Sequence, residues 1–268
     1  MEAWREANRA NWDERVAVHM RAYDLAPLRA GRGRLFPIEA RELGSVAGKR
    51  VLHLQCHIGS DTLTLAQMGA DVTGVDFSAP AIAAARGLAA ELGLAARFVE
   101  ADLYAAPEML GEAGGFDLVF TTWGTICWLP DIAGWARVVA HFLKPAGVLY
   151  FADAHPAALV FDEDVPGAAG FPGFFAPYFG DGPLILDDAR DYADPAARLA
   201  HVRTFQYMHM VGEVVSALIG AGLRLEFLHE HPAVPWRMFA PLERDRDGLY
   251  RWPDKAWLPL SYSLMARR

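Results

Sequence analysis

Cysteine is scarce in this chain: two residues in 268, Cys56 and Cys127, both inside apolar segments. That excludes a disulfide framework and sets the expectation of a reducing, cytoplasmic setting. A basic excess is also missing. Lys and Arg number 25 against 33 Asp and Glu, a formal charge of −8, so nucleic acid is not expected as a partner, because phosphate contacts demand a basic face. No apolar run approaches membrane-spanning length, and the first residues, MEAWREANRANWDERV, are charged and amphipathic, unlike a signal or transit peptide. Neither His-Glu-x-x-His nor a Cys/His cluster at metal-ligand spacing occurs, so no catalytic metal is expected. What remains is 53% hydrophobic and 22% charged, the balance of a soluble enzyme, at a length that suits one α/β domain with a cap or insertion.

Glycine is missing at one informative place. The run KRVLHLQCHIGSDTLTLAQMGADVTGVD, from Lys49 to Asp76, reads as a buried strand, a turn closing at Gly59, a helix stopped by Gly69 and a second strand ending in an acid. This is half of a nucleoside-binding α/β unit, with Asp76 where a ribose needs an acceptor. A dinucleotide site puts glycines in that turn so that the backbone can approach the pyrophosphate. Here the turn carries His53, Gln55 and His57, and only Gly59 is bare. The implied cofactor is a nucleoside without a diphosphate. S-adenosylmethionine satisfies that description and NAD does not.

Along the chain, Trp12, Val16, His19 and Tyr23 recur at helical spacing, which predicts a helix from Trp4 to about Arg29 with Arg9, Glu14 and Arg15 off that face. It serves either as a docked helix or as a lid whose His19 and Tyr23 look into the active site. A short helix over about Pro37–Leu43 follows. Strands are predicted at 50–55, 71–76, 96–100, 116–121 and 147–153, and helices at Asp61–Met68, Ala79–Leu92 and Ile132–Phe142. Strict β-α alternation with short loops predicts a parallel sheet covered on both faces. Residues 156–200 are rich in Pro, Gly and Phe with little periodicity, a connection long enough to be functional. A helix at Val211–Ile219 and strands at 223–229 and 260–266 end the chain. The expected organisation is one domain over 1–268: an N-terminal helical lid (1–45), a cofactor-binding core (46–155), an acceptor-side insertion (156–210) and a final helix with a strand hairpin (211–268).

This order of features resembles the class I S-adenosylmethionine-dependent methyltransferases over roughly residues 46–155 and 211–268. The residues that carry the resemblance are the turn His53-Leu54-Gln55-Cys56-His57-Ile58-Gly59, the acid of Val75-Asp76-Phe77-Ser78, that of Glu100-Ala101-Asp102-Leu103, the strand Phe116-Asp117-Leu118-Val119-Phe120 and Leu143-Lys144-Pro145-Ala146-Gly147. The last looks like the turn that precedes strand five in that family, and the first resembles a branch with an LHLQCHxG turn. The resemblance implies a Rossmann-like, doubly wound seven-stranded sheet with an antiparallel last strand. It also implies roles. Asp76 would take the ribose hydroxyls, Phe77 and Leu103 would enclose the adenine, and Asp102 would accept from its amine. Gln55, Cys56, His57 and Gly59 would pass beneath the methionine part, with main-chain groups at Thr121 and Thr122 holding its amino group.

Methyl transfer asks the protein to align a nucleophile, exclude water and remove a proton where the nucleophile carries one. His155, two residues beyond Asp153 at the end of strand five, is the first choice for a base, with a loop histidine as the plain alternative. Tyr207, His209, Tyr23 and His19 are further catalytic candidates. His229 and His231 alternate on a late strand and are expected to be structural. For the acceptor, Trp12, Trp123, Trp128, Phe174, Tyr178 and Trp236 offer flat apolar surfaces. They suggest a small aromatic or apolar acceptor, indole-like in the first instance, and a monomer or homodimer. The competing classes are a non-catalytic S-adenosylmethionine sensor and an NAD-dependent oxidoreductase.

Overall fold

The N-terminal segment departs first from expectation. In the computed structural model, which describes residues 3–180 and 182–268, the single long helix is two: α1 spans Ala3–Ala22 and α2 spans Ala26–Arg29. Asp24 Oδ1 accepts from the Ala26 N–H at 3.2 Å, and Pro27 occupies the first turn of α2. Proline has no N–H with which to continue a helix. The buried face of α1 also differs. Asn8, Asn11, Arg15 and His19 are buried, whereas Trp12 and Tyr23 are only partly so. Arg15, expected off the docked face, is therefore on it. That stripe is polar because it meets backbone and side-chain polar groups of the insertion, while Val16, buried as expected, packs with Met20 and Tyr23 on the apolar cluster of Leu63, Ile82 and Leu88. α3 follows at Pro37–Glu42.

From Arg50 the alternation is as read, with one short unpredicted helix added between the third and fourth strands. β1 (Arg50–Leu54), α4 (Ser60–Gln67), β2 (Asp71–Asp76), α5 (Ala79–Leu92), β3 (Ala96–Glu100), α6 (Ala106–Leu110), β4 (Phe116–Thr122), α7 (Ile132–Phe142) and β5 (Leu143–Ala154) follow in turn. All four pairings among these strands are parallel. Val51, Leu52, Leu54, Val119, Phe120 and Phe151 are fully buried, as strands covered on both faces must be. Ser78 Oγ accepts from Ala81 N–H at 3.2 Å to start α5, and Gly93 at φ +63° ends it. One boundary moved. Leu143–Gly147, expected as a turn ahead of strand five, lies within β5, where pairing with β4 jumps from Phe116↔Leu143 to Leu118↔Val148 and Ala146 takes φ +65°.

The insertion is more regular than its composition suggested. β6 (Phe161–Pro166) pairs with β7 (Pro172–Phe174), and β8 (Leu184–Asp187) pairs with β9 (Arg203–Gln206). After α8 (Val211–Gly220) and β10 (Arg224–His231), the chain makes a small sheet of β11 (Ala233–Val234), β12 (Glu243–Arg244) and β13 (Tyr250–Arg251) before β14 (Ser261–Arg267). The last two long strands are thus joined by a sheet-forming excursion and not by a tight turn. The main sheet runs β10-β14-β5-β4-β1-β2-β3, with β14 antiparallel to β5 and β10. This is a Rossmann-like seven-stranded α/β sheet with an N-terminal helix. Strand order reverses between β1 and β4, so the crevice beyond their carboxyl ends is where a ligand of such a sheet sits. Among the described residues, no helix is long and apolar enough to cross a membrane.

Candidate active site

The turn after β1 is the centre of the crevice. Gln55 at φ +57° and His57 at φ +49° both take the left-handed conformation, as does Gly59 at φ +75°. A left-handed non-glycine residue costs about 1 kcal/mol, so the surroundings must hold this shape. Cys56 N–H donates to Val75 O at 2.9 Å, His57 N–H to Asp76 Oδ2 at 2.8 Å, and Gln55 Nε2 to Thr125 O at 2.9 Å. Gly59 alone has no alternative: a Cβ there would lie 2.7 Å from the Phe98 ring and 2.9 Å from Ala85 Cβ. Two positions keep a glycine-type backbone while carrying side chains. His53, at the start of the motif, is buried; its Nδ1 is 2.8 Å from Thr62 Oγ1, and burial lowers its pKa to about 3. It is a neutral packing residue that ties β1 to α4.

Asp76 ends β2 beneath the turn. Besides the His57 amide, it accepts from Ser78 N–H at 3.0 Å; burial pushes its pKa up to about 6, opposed by those amides. Helix α1 crosses above. Ser78 Oγ donates to Asp13 Oδ1 at 2.5 Å, and Arg5 Nε stands 2.9 Å from the Asp102 carboxylate. Between Arg5, Arg9, Phe77, Glu100 and Asp102 lies a cavity of about 200 Å³. Asp102 also accepts from Tyr104 N–H, and Leu103 is buried in the core. At the end of β4 the hydroxyls of Thr121 and Thr122 are buried without a partner among the described residues, and so is Gln55 Oε1. Buried polar atoms without a partner call for an explanation.

Histidine 155 is corrected by its surroundings. Its Nε2 is 2.9 Å from Glu230 Oε1 and its Nδ1 accepts from Ala157 N–H at 3.1 Å. Both nitrogens are engaged, so neither is open to an acceptor, and the ring ties the end of β5 to β10. Asp153 does not join it. That carboxylate accepts from the amides of Gly124, Thr125 and Ala154 and shapes the loop after β4; burial raises its pKa. His209 is likewise occupied, with Nε2 2.7 Å from Leu129 O and Nδ1 3.3 Å from Glu213. Tyr207 lies edge-on to Trp4, and its amide donates to Cys127 O. His229 pairs with Glu42 and His231 with Ser263 on the sheet edge.

Among the aromatics, Trp12 stands edge-on to His57 (5.2 Å) and Trp128 (5.3 Å), which joins α1 to the loops after β1 and β4. Trp123 donates Nε1–H to Glu39 Oε1 at 2.9 Å and meets Trp236 edge-on at 5.8 Å. Glu39 is fully buried, which pushes its pKa up to about 8. Phe174 does not reach the crevice. It is 79% exposed on the β6–β7 hairpin, stacked on Phe161. Tyr178 packs against Phe179 on the same insertion.

Sequence reading missed the group that ties these parts together. Asp191, in the insertion, is buried; its Oδ2 is 2.9 Å from Arg15 Nη1 and 3.1 Å from His19 Nε2. His19 Nδ1 is in turn 2.8 Å from His57 Nε2. Tyr23 stacks on His19, and its hydroxyl lies 2.5 Å from that of Tyr192. Asp191 and His19 are 172 residues apart, and no local pattern announces such a contact. Among the described residues, no group of three or more His, Cys, Asp or Glu is placed to hold a metal ion.

Residues 51–147 match a protein-family model described as a methyltransferase domain. The chain is 34% identical over 125 residues to a ubiquinone biosynthesis O-methyltransferase of Ralstonia nicotianae, covering 46% of this chain and 50% of that protein. It thus spans about half the length of such relatives. A solved S-adenosylmethionine-dependent methyltransferase from Mesorhizobium loti is similar at 25% identity and TM-score 0.61, covering 87% of this chain and 96% of the other. The fold is shared with magnesium protoporphyrin IX methyltransferase of Synechocystis, solved with bound S-adenosylhomocysteine, at 18% identity and TM-score 0.51, over 96% and 85% of the two chains.

Proposed function

We infer the function from one premise: this chain belongs to the class I S-adenosylmethionine-dependent methyltransferase family. On that basis it is an enzyme that transfers a methyl group from S-adenosylmethionine to a hydroxyl on a small aromatic acceptor. The observation that carries the reading is the left-handed turn at Gln55, His57 and Gly59, clamped to the Asp76 carboxylate. Two of its three left-handed positions carry side chains in place of glycine.

The crevice fits this cofactor. Asp76 retains acceptor capacity for a ribose diol beside its two amide bonds, Phe77 and Asp102 border the cavity suited to adenine, and Gln55 Oε1 with the Thr121 and Thr122 hydroxyls offers polar atoms still unmet. When bound, the cofactor supplies an electrophilic methyl on a sulfonium. Helix α1 is tied over the crevice by its Asp13–Ser78 and Arg5–Asp102 contacts. Trp12, Trp128, Trp123 and Trp236 supply the flat apolar surfaces for a ring. Oxygen is preferred over nitrogen or carbon because relatives at 30–34% identity are named O-methyltransferases; an indole is the competing acceptor. Both cysteines are free thiols, in keeping with a cytoplasmic enzyme.

The test is incubation with methyl-labelled S-adenosylmethionine and a panel of catechols, phenols and indoles, reading S-adenosylhomocysteine formation. Acceptor-dependent product with a hydroxylated ring is expected. Cofactor binding with no transfer to any acceptor would mark a sensor, and tight NAD binding in its place would overturn the assignment.

A further inference from the structure

We propose that His57 Nδ1 is the general base of the methyl transfer, with His19 and Asp191 as positioning residues that fix its tautomer. The proposal rests on the methyltransferase reading, and hydrogen-bond direction carries it. Arg15 possesses only donors, so Asp191 Oδ2 accepts from Nη1 at 2.9 Å, while Ala193 N–H donates to Oδ1 at 2.8 Å. The same carboxylate faces His19 Nε2 at 3.1 Å and accepts its proton. In a neutral ring that leaves His19 Nδ1 as a lone pair, which can only accept from His57 Nε2 at 2.8 Å. His57 must then carry its proton on Nε2 and present a bare Nδ1.

No described residue is hydrogen-bonded to that Nδ1. The His57 ring stands 5.2 Å from Trp12, which meets Trp128 at the mouth of the crevice. Burial keeps both rings neutral, with His57 lowered to about 3 and His19 lowered despite the opposing effect of Asp191. A ring this weakly basic needs somewhere to send its charge. The relay provides it: a proton taken at Nδ1 lets the Nε2 proton pass to His19 Nδ1, so the cation ends beside Asp191. In the complete step, an acceptor oxygen bonds to the methyl carbon and the sulfur–carbon pair returns to sulfur. The acceptor proton goes to His57 Nδ1 and leaves to solvent after product release.

The first test is long-range proton–nitrogen correlation on full-length protein labelled with nitrogen-15 histidine, assigned through His57→Gln and His19→Gln. An unprotonated Nδ1 and protonated Nε2 are expected on both rings. His19→Phe keeps the stack on Tyr23 but removes the acceptor, and should move His57 toward a mixture of tautomers. A protonated Nδ1 on wild-type His57, or a spectrum unmoved by His19→Phe, would overturn the relay. The second test is turnover with the best acceptor of the panel. His57→Gln, which keeps the backbone amide that clamps Asp76, is expected to lower kcat by at least about 100-fold while S-adenosylhomocysteine affinity falls far less. An equal loss of affinity would make His57 a cofactor ligand and overturn its role as base. A failure of S-adenosylhomocysteine to bind wild type would strike the methyltransferase reading, and the tautomer spectrum keeps the two failures apart.

Discussion

Two histidines stand just beyond the carboxyl ends of parallel strands, His57 after β1 and His155 after β5, and only one of them has a nitrogen to spare. His155 is closed by Glu230 on one side and the Ala157 amide on the other. His57 is held on one side by His19, and its other nitrogen has no hydrogen-bond partner among the described residues. Position at the mouth of an α/β sheet is therefore not enough to name a base. What separates the two is how many of their lone pairs and protons the fold itself consumes. The end of β5 uses histidine to fasten a sheet edge; the turn after β1 uses it to complete a relay that begins 172 residues from His19 in sequence.

The sharpest way to break that contrast is to change both residues to glutamine. His57→Gln should lose turnover by at least about 100-fold. His155→Gln should keep turnover per folded molecule and lower stability by about 1 kcal/mol, the net worth of a lost hydrogen bond, read by thermal unfolding. Reversed outcomes would restore His155 as the base. The next effect tests the floor of the turn. Asp76→Ala should weaken S-adenosylhomocysteine binding roughly 30-fold, about 2 kcal/mol for hydrogen bonds to a charged acceptor; unchanged affinity in calorimetry would remove Asp76 from the cofactor site.

Acidity gives a smaller and graded effect. Because burial raises Asp76 to about 6 from an ordinary 3.8, the ionised acceptor is lost as pH falls through that value. S-adenosylhomocysteine affinity should be flat above pH 7 and fall by up to about tenfold per unit below 6. The same shift acts on folding with the opposite sign. The native state binds the proton more tightly than the unfolded chain, so this group raises stability as pH drops between 6 and 3.8. Binding and stability measured on one pH series should therefore diverge in that window. The smallest effect is Gln55→Gly. Relief of the left-handed strain offsets loss of the Thr125 hydrogen bond and glycine's extra chain entropy, so unfolding free energy should change by less than about 1 kcal/mol. A larger loss would mean that the side chain, and not the backbone, holds the turn.

The sheet was readable because its signals are local. Apolar runs such as Phe116–Phe120, the Ser78 cap and the Gly93 stop are written within a few residues of the elements they define, and α5 and α7 fall at their expected bounds. The insertion was not, since β8 and β9 are four residues each and separated by a loop of 188–202. The docking of α1 misled for a related reason. Its most buried residues are Asn8, Asn11 and His19, which meet Phe205, His201 and Asp191, 197, 190 and 172 positions away. A pattern of apolar spacing cannot report a polar interface. In the site, Asp76 and Gly59 were visible as motif residues, while Asp191 had no motif to belong to. His53 belongs to the same motif, and its neutral contact with Thr62 gives it a packing role there.

The central claim is that this turn, with Gln55 and His57 in left-handed backbone, still forms an S-adenosylmethionine site. Calorimetric titration of the wild-type chain with S-adenosylhomocysteine, with NAD as the control, tests it most directly. Micromolar binding to the former and none to the latter is expected. No binding of S-adenosylhomocysteine, or heat from NAD alone, would contradict it.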